Sequence, residues 1–208
     1  MISFVKTYQT SKSKQHPVGM TFQYSGGTNQ TLYDSPADWI SPATTSSSPS
    51  GEDYRTNPPA NLRNKVILSD TDHLWGIGGN RIWVWKSFTR GLNPLFMDDP
   101  RDSATLANTQ YESARIAMGD TLKYAQKISL ASMTPRNSLS STGYCLANLG
   151  SEYLAYQPTT GTFTISLQGG TYTYELFNPA ISSVVSSGTI TSTGGNYSFS
   201  PSWSGDAV

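Results

Sequence analysis

The chain is poor in the residues that build disulfides and metal sites. Its 208 residues include one cysteine, Cys145, and two histidines, His16 and His73. A single cysteine excludes an intrachain disulfide and any metal site made of several cysteines. A zinc site would need both histidines together with carboxylates. We therefore predict that the chain binds no metal and needs no cofactor.

Charge and long apolar segments are also scarce. Charged residues make up 13% of the chain, and 14 Lys and Arg balance 14 Asp and Glu. This balance gives no electrostatic basis for binding nucleic acid or an anionic membrane. No apolar run reaches the length of a bilayer span, and residues 1–14 lack the apolar core of a secretory signal. We predict no nucleic-acid or membrane partner; the oligomeric state stays open.

Aromatic and neutral polar residues are abundant instead. Aromatic residues make up 12% of the chain, including five Trp and twelve Tyr. Aromatic rings stack on the apolar faces of sugars, and amides and hydroxyls bind sugar hydroxyls. The composition suits a neutral, hydroxyl-rich ligand. It is equally typical of Ser- and Thr-rich all-β proteins that bind nothing, so composition leaves both interpretations open.

The first part of the chain alternates between predicted strands and helices. VGMTFQY (residues 18–24), KVILSD (65–70) and NPLFMDD (93–99) indicate short strands, and the last two have the continuous apolar character of buried parallel strands. Asn80 and Gly91 are the expected cap and stop of a helix between them. Strands that alternate with helices predict a parallel sheet with right-handed crossovers.

A second helix is predicted after residue 109. Thr109 and Glu112 form a capping box. The helix then carries one apolar face, made of Tyr111, Ala114, Met118, Leu122 and Ala125.

Two loops complete the description of this part. Residues 43–64 form a Ser-, Thr-, Pro- and Gly-rich loop that is long enough to require a functional explanation or disorder. Residues 132–141 form the predicted boundary between two domains, at 1–131 and 132–208.

After Arg136 the hydrophobic period becomes two. Most of the predicted strands are separated by glycine-containing turns, and they recur at intervals of roughly ten residues, which favours an antiparallel sandwich. The six strands are residues 144–149, 152–157, 162–167, 171–177, 183–191 and 196–200. The predicted fold class is therefore α/β followed by all-β.

Five strings extend across both predicted domains: HPVGMTF, SPADWIS, KVILSDTDHLWGIGGNRIWVWKSFTRGLNPLFMD, RIAMGDTLKYA and STGYCLANLGSEYLAYQP. Together they resemble bacterial glycoside-hydrolase-like proteins related to apiosidase. The resemblance implies about the last three βα units of a (β/α)8 barrel, followed by a small antiparallel β-sandwich of the collagen-binding type. It also implies a fragment of a longer extracellular or periplasmic protein, without the first five barrel strands and the last sandwich strand. A compact α/β layer that stands alone is the alternative.

The segment after KVIL carries the candidate catalytic residues. In a (β/α)8 barrel, chemistry takes place at the carboxyl ends of the strands, and retaining glycosidases use two carboxylates about 5–5.5 Å apart. The resemblance puts Asp70 at the position of the carboxylate that ends strand seven, although the family pattern has Glu there. Three interpretations stay open: Asp70 is the key carboxylate, Asp72 is, or both are structural caps.

Other candidates surround this segment. His73 is expected to orient a carboxylate or bind a sugar hydroxyl, with a polar rim residue as the alternative. Trp75 is the best candidate for stacking on sugar, and Asp98 is a candidate rim residue. Asp38 and Trp39 are candidates that reach the same mouth from the preceding loop. Trp83 and Trp85, in contrast, are predicted to pack a helix against the sheet.

Two functions follow as hypotheses. In the first, the chain is a fragment of a glycoside hydrolase that acts on plant or microbial oligo- or polysaccharide. It would be inactive alone, because the carboxylate that ends strand four is missing. In the second, the sandwich is a non-catalytic module that binds carbohydrate or matrix protein.

Overall fold

A computed structural model of the chain describes residues 1–45, 52–74, 79–97 and 111–208. These residues form a mixed α/β structure with a parallel sheet followed by antiparallel strands, as the alternation of sequence periods predicted. Within the described ranges, no helix combines the length and the apolar character needed to cross a membrane.

The parallel sheet has four strands in sequential order: β1 (Gly19–Thr21), β2 (Trp39–Ser41), β3 (Val66–Asp70) and β4 (Asn93–Leu95). All three strand pairs are parallel. Trp39 lies opposite both Gly19 and Val66, so β1, β2 and β3 begin at the same level. The carboxyl ends of the strands consequently meet along one edge of the sheet.

Among the described residues, four α-helices accompany the sheet: α1 (Ile2–Gln9), α2 (Asn29–Asp34), α3 (Arg81–Thr89) and α4 (Glu112–Lys127). Asn80 caps α3 by accepting a hydrogen bond from the Trp83 N–H at 2.9 Å. Gly91, with a φ of 74°, follows the helix end. Both features were predicted from the sequence. Single-turn 3₁₀ helices lie at Thr71–Leu74, Leu130–Ser132 and Asn137–Leu139.

The buried face of α4 agrees in part with the predicted one: Ala114 is fully buried, and Met118 and Ala125 pack partly buried against the core. Leu122, expected inside, is 58% exposed, whereas Tyr124 is 8% exposed. The Tyr124 ring packs edge-on against Trp85 and Phe177, with centroid distances of 5.7 and 5.4 Å. A single sequence cannot reveal this preference, because it depends on aromatic partners from distant segments. The predicted cap Thr109 lies outside the described residues.

The parallel sheet has one covered face and one open face. Ile40 and Ile67 are paired across β2 and β3 and are fully buried. Val66 is 51% exposed and Leu95 is 41% exposed on the opposite face. Trp39, opposite Val66, and Asp70, opposite Leu95, project from this same side. We call the surface formed by Trp39, Val66, Asp70 and Leu95 the open face.

The antiparallel part contains fewer and longer strands than predicted. β5 (Thr134–Pro135), β6 (Cys145–Asn148) and β7 (Glu152–Ala155) form one sheet, and β8 (Phe163–Asn178) pairs with β9 (Ser183–Phe199) in another. The last four predicted strands are therefore merged into two long ones, β8 and β9. Their glycine pairs do not turn the chain: Gly169 and Gly170 continue the ladder opposite Thr193 and Ser192.

Two hydrophobic clusters hold these elements together. The larger one joins residues of the parallel sheet and its helices, such as Ile67 and Trp85, to residues of the antiparallel part, such as Tyr156 and Phe177. The smaller one lies within the antiparallel part, around Ala155 and Leu176. Trp85 is fully buried, as expected for helix packing, but its stacked partner is Tyr156 at a centroid distance of 6.1 Å.

Candidate functional site

Asp70 ends β3 at the carboxyl edge of the parallel sheet. One of its carboxylate oxygens accepts a hydrogen bond from the Asp72 N–H at 3.1 Å. This bond turns the chain out of the strand and into the 3₁₀ helix Thr71–Leu74. Asp70 is half-buried and Asp72 is exposed. The Asp70 carboxylate therefore stabilises the local turn and also borders the open face; the choice among the three interpretations of Asp70 and Asp72 stays open.

Thr71 fixes the adjacent part of the edge. Its buried hydroxyl accepts a hydrogen bond from the Met97 N–H at 2.9 Å. The bond connects the exit of β3 to the segment that follows β4. The backbone on both sides of Asp70 is thereby held in place, which is a requirement for a side chain that has to meet a ligand at a defined position.

His73 is held by groups from the two preceding strand ends. Its Nδ1 atom lies 2.8 Å from the Ser41 hydroxyl at the end of β2. Its ring meets Phe22, which follows β1, edge-on at a centroid distance of 6.3 Å. With Nδ1 engaged by Ser41, the orientation of the imidazole is set.

A second polar cluster lies beside His73. Thr44, three residues beyond β2, donates its N–H to the His73 carbonyl at 3.0 Å. The neighbouring Ala43 exchanges two hydrogen bonds with the Asn29 side chain, at 2.8 and 2.9 Å. Asn29 Nδ2 also donates to Glu52 Oε2 at 3.0 Å. These bonds bring a carboxylate from the long 43–64 loop to the neighbourhood of the His73 edge.

Two tyrosines complete the cluster around Glu52. The Tyr33 hydroxyl donates to Glu52 and lies 2.6 Å from the Tyr54 hydroxyl. Since Tyr33 gives its one hydroxyl proton to Glu52, Tyr54 is the donor in the second bond. Burial raises the pKa of both tyrosines. The charge and hydrogen bonds of Glu52 and Tyr54 raise the pKa of Tyr33 further, whereas the hydrogen bond with Tyr33 lowers the pKa of Tyr54 without cancelling the effect of burial. Both phenols therefore stay protonated at neutral pH and act as donors.

Arg63 covers the outer side of this cluster. Its guanidinium stacks over the Tyr33 ring at 3.6 Å and approaches Glu52 at 3.9 Å. We call Asn29, Tyr33, Glu52, Tyr54 and Arg63 the Glu52 cluster. Sequence reasoning missed Glu52 and Ser41, because their neighbours come from segments 11 to 32 residues away. The unexplained length of the 43–64 loop was the available signal.

The structure places Asp38 at the opposite edge of the sheet from Asp70. Asp38 precedes β2, and its carboxylate pairs with Lys6 at 2.6 Å and accepts the Val18 N–H at 2.9 Å. These two bonds lower the pKa of Asp38. The expectation that Asp38 reaches the same mouth as Asp70 is therefore corrected: a parallel strand puts its first and last residues at different edges.

Trp39 shares the open face with Asp70 but not its edge. It lies opposite Val66, four residues before Asp70, which corresponds to about 13 Å along the strand. Its indole instead covers Gly19, where a Cβ atom would clash with the ring at 1.9 Å. Trp39 thus closes the amino end of the sheet.

The remaining candidates either pack a helix or lie outside the described residues. Trp83 is 2% exposed and donates its indole N–H to the Tyr54 carbonyl at 3.1 Å, in keeping with its predicted packing role. Trp75 and Asp98 lie outside the described residues, so their sugar-binding roles stay predictions. Within the described ranges, no group of three or more His, Cys, Asp and Glu side chains is arranged to hold a metal ion.

No protein-family model matches the chain, and no curated protein is significantly similar to it in sequence.

Proposed function

We propose that the carboxyl edge of the parallel sheet binds carbohydrate and is part of a glycoside-hydrolase site. Asp70 and Asp72 are the acidic groups, and His73, oriented by Ser41, binds a sugar hydroxyl. The observation that carries this proposal is the convergence of Asp70 and the Ser41–His73 pair at the ends of adjacent parallel strands. In α/β sheets, ligands bind outside the carboxyl ends of the strands.

The chemistry of the edge suits a neutral polyol. It combines carboxylates, an imidazole and a hydroxyl with the edge of the Phe22 ring, and the formal charge of the chain is zero. Glycoside hydrolysis needs two carboxylates, about 5–5.5 Å apart for retention and about 6.5–9.5 Å apart for inversion. Asp70 is the proposed first member of such a pair, and Asp72 is the alternative to it.

The wider architecture is also a proposal. The parallel sheet would be part of a (β/α)8 barrel, and the antiparallel strands would form a sandwich. The open face supports this, because Val66 and Leu95 leave apolar surface exposed that the inside of a barrel would bury. A polysaccharide substrate would place the protein outside the cell or in the periplasm.

Calorimetric titration with plant and microbial oligosaccharides tests the site, with Asp70→Asn as the variant. Asn keeps the side-chain oxygen that accepts the Asp72 N–H, so the turn is preserved while the charge is lost. We expect saturable binding of at least one glycan and about tenfold to hundredfold weaker binding by the variant, the effect of losing one charge-assisted hydrogen bond.

Asp38→Asn is the matched control, since it removes the same charge at the opposite edge of the sheet. Its glycan affinity is expected to equal that of the unmodified chain. Equal weakening by both variants, or no binding across the panel, would contradict the proposal. Reducing-sugar release in the same samples separates hydrolysis from binding alone, and binding without release would favour the non-catalytic module.

A further inference from the structure

A cleft of about 720 Å³ lies in the antiparallel part, far from Asp70 along the chain. It is lined by β7, by both halves of β8, by part of β9 and by the end of α4, and Val208 is also in its lining. Within the described residues, β6 is the strand that pairs with β7, and β9 is the strand that pairs with β8. The cleft thus separates two strands that each have a neighbour on one side.

The backbone of β7 turns its second edge toward the cleft. The Tyr156 N–H donates to the Tyr144 carbonyl on the β6 side at 3.0 Å. Gln157, the next residue, points the other way and exchanges two hydrogen bonds with Ala207, at 2.8 and 2.9 Å. Since backbone groups alternate along a strand, the N–H and C=O groups of Ala155 and Tyr153 point to the Ala207 side.

The backbone of β8, on the opposite wall, also turns its second edge toward the cleft. Phe177 exchanges two hydrogen bonds with Val208, at 2.8 and 3.0 Å. A mutual pair of this kind is the mark of antiparallel neighbours. The register change near Phe177 is a bulge whose extra residue lies in β9. Backbone groups therefore keep alternating between the two sides along β8. Glu175 and Thr173 therefore turn their backbone groups toward the cleft.

Ala207 and Val208 occupy one end of this cleft as a strand would. Ala207 is antiparallel to β7, and Val208 is antiparallel to β8. A segment in line with these two residues would face Ala155 on one side and Glu175 on the other. From these contacts we propose that the cleft is an acceptor site for an extended peptide, which adds as a strand between β7 and β8.

The side chains of the walls define the peptide. On the side of the smaller hydrophobic cluster, Ala155, Leu176 and Tyr174 present an apolar surface. On the side of α4, the Glu175 carboxylate forms an ion pair with Lys127 at 2.6 Å and accepts a hydrogen bond from the Tyr124 hydroxyl at 2.8 Å. The partner is therefore an extended polypeptide with apolar side chains at alternate positions and neutral polar ones between them.

Two aligned rows of backbone donors and acceptors distinguish this site from a sugar-binding groove. Main-chain hydrogen bonds supply the affinity in strand addition, and pockets for alternate side chains supply the specificity. The acceptor site is independent of the proposed carbohydrate site, since it shares no residue with the carboxyl edge of the parallel sheet.

The test is amide hydrogen exchange, measured by NMR on the full chain with an acetylated and amidated peptide of alternating valine and threonine. The amides of Tyr153, Ala155, Thr173 and Glu175 are expected to exchange at least about tenfold more slowly with peptide bound. The Leu154 and Tyr156 amides face β6 and are expected to keep their rates. Protection confined to other segments, or no protection at millimolar peptide, would overturn the proposal.

A peptide N-methylated at two alternate residues provides the control on the ligand side. It keeps the apolar side chains but loses two backbone donors, so its affinity is expected to fall by about tenfold or more. Equal affinity of the two peptides would show that binding is not strand addition, because only the backbone donors differ.

Thr173→Pro provides the matched test on the protein side, with Thr173→Val as its control. Proline removes the N–H that faces the cleft and is tolerated at a strand edge, whereas valine keeps that donor. We expect the proline variant to lose peptide binding and the valine variant to keep it, at unchanged melting temperature. If the proline variant does not fold, the N-methylated peptide decides the question alone.

Discussion

The parallel-sheet region (the described residues of 1–127) and the antiparallel region (134–208) differ in strand length. The parallel strands have three to five residues, whereas β8 and β9 have 16 and 17. The short parallel strands end at the same edge of their sheet, and the loops that follow them bring polar side chains together there. The long antiparallel strands β8 and β9 form backbone hydrogen bonds with each other along their length. A binding partner would therefore have to use the edge of β8 that β9 does not occupy. The two binding surfaces that we propose thus differ in kind.

The two regions are nevertheless joined by specific contacts. Trp85 of α3 packs on Tyr156 and Phe177. Arg81, also on α3, forms a two-pronged ion pair with Asp206 at 2.8 and 3.0 Å. Further along, Glu175 of β8 binds α4 through Lys127. Each contact can be removed by its own substitution. The stability of these variants then shows whether the two regions unfold together.

Removal of the Trp85 ring is expected to have the largest effect. Trp85 is fully buried and touches aromatic rings from both regions. Trp85→Ala should lower the free energy of unfolding by about 3–5 kcal/mol, through lost burial and the cavity left behind. Urea unfolding followed by circular dichroism measures this loss.

Trp85→Phe is the matched control. It keeps most of the buried ring and removes an indole N–H that has no hydrogen-bond partner within the described residues, so it should cost clearly less than the alanine variant. A loss below about 1 kcal/mol for Trp85→Ala would contradict the view that this ring couples the two regions.

Asp206→Asn is expected to have an intermediate effect. The Asp206 side chain is 2% exposed and also accepts the Tyr156 hydroxyl at 3.0 Å. Loss of its charge leaves Arg81 partly buried without a counter-ion. Complete burial would make this cost about 3–5 kcal/mol, and the 27% exposure of the Arg81 side chain reduces it to about 2–3 kcal/mol.

Lys6→Ala provides the comparison within the parallel-sheet region. Its pair with Asp38 is more exposed, at 36% and 41% of the two side chains, so solvent screening should make its loss clearly smaller than the loss in Asp206→Asn. Chemical unfolding of both variants under the same conditions measures the difference. Equal losses would mean that burial does not distinguish the two ion pairs.

The smallest expected effect is the pH dependence contributed by Glu175. Burial alone would raise the pKa of Glu175, but hydrogen bonds from Lys127 and Tyr124 outweigh it and hold the pKa below the ordinary value of 4.5. A carboxyl group with a lowered pKa stabilises the folded state above its unfolded pKa, and this stabilisation is lost as the pH falls through the folded pKa.

Thermal unfolding of the unmodified chain and Glu175→Gln between pH 7 and pH 3 tests this linkage. The difference in stability should be constant above about pH 5 and should shrink as the pH falls below about 4.5. A difference that does not change over this range would show that the Glu175 carboxylate makes no charge-dependent contribution.

Local residue patterns determined much of the fold. KVILSD predicted β3, and Asn80 and Gly91 predicted the limits of α3, because apolar runs, caps and positive-φ glycines act over a few neighbouring residues. The same reasoning put Asp70 at the carboxyl edge of a parallel sheet, since a residue that ends such a strand lies there in any fold of this type.

Other features were decided by tertiary structure. Gly169 and Gly170 look like a turn in the sequence, yet their ladder with β9 carries the chain straight through. Asp38 was expected to reach the edge of Asp70 from the preceding loop, but it directly precedes β2, which the sequence did not predict, and lies at the opposite edge. Glu52 joins the polar cluster beside His73 through side chains of other segments, among them Asn29, Tyr33 and Arg63. The physical reason is common to all three: the partners that choose among allowed local conformations come from distant segments, and a single sequence does not pair those segments.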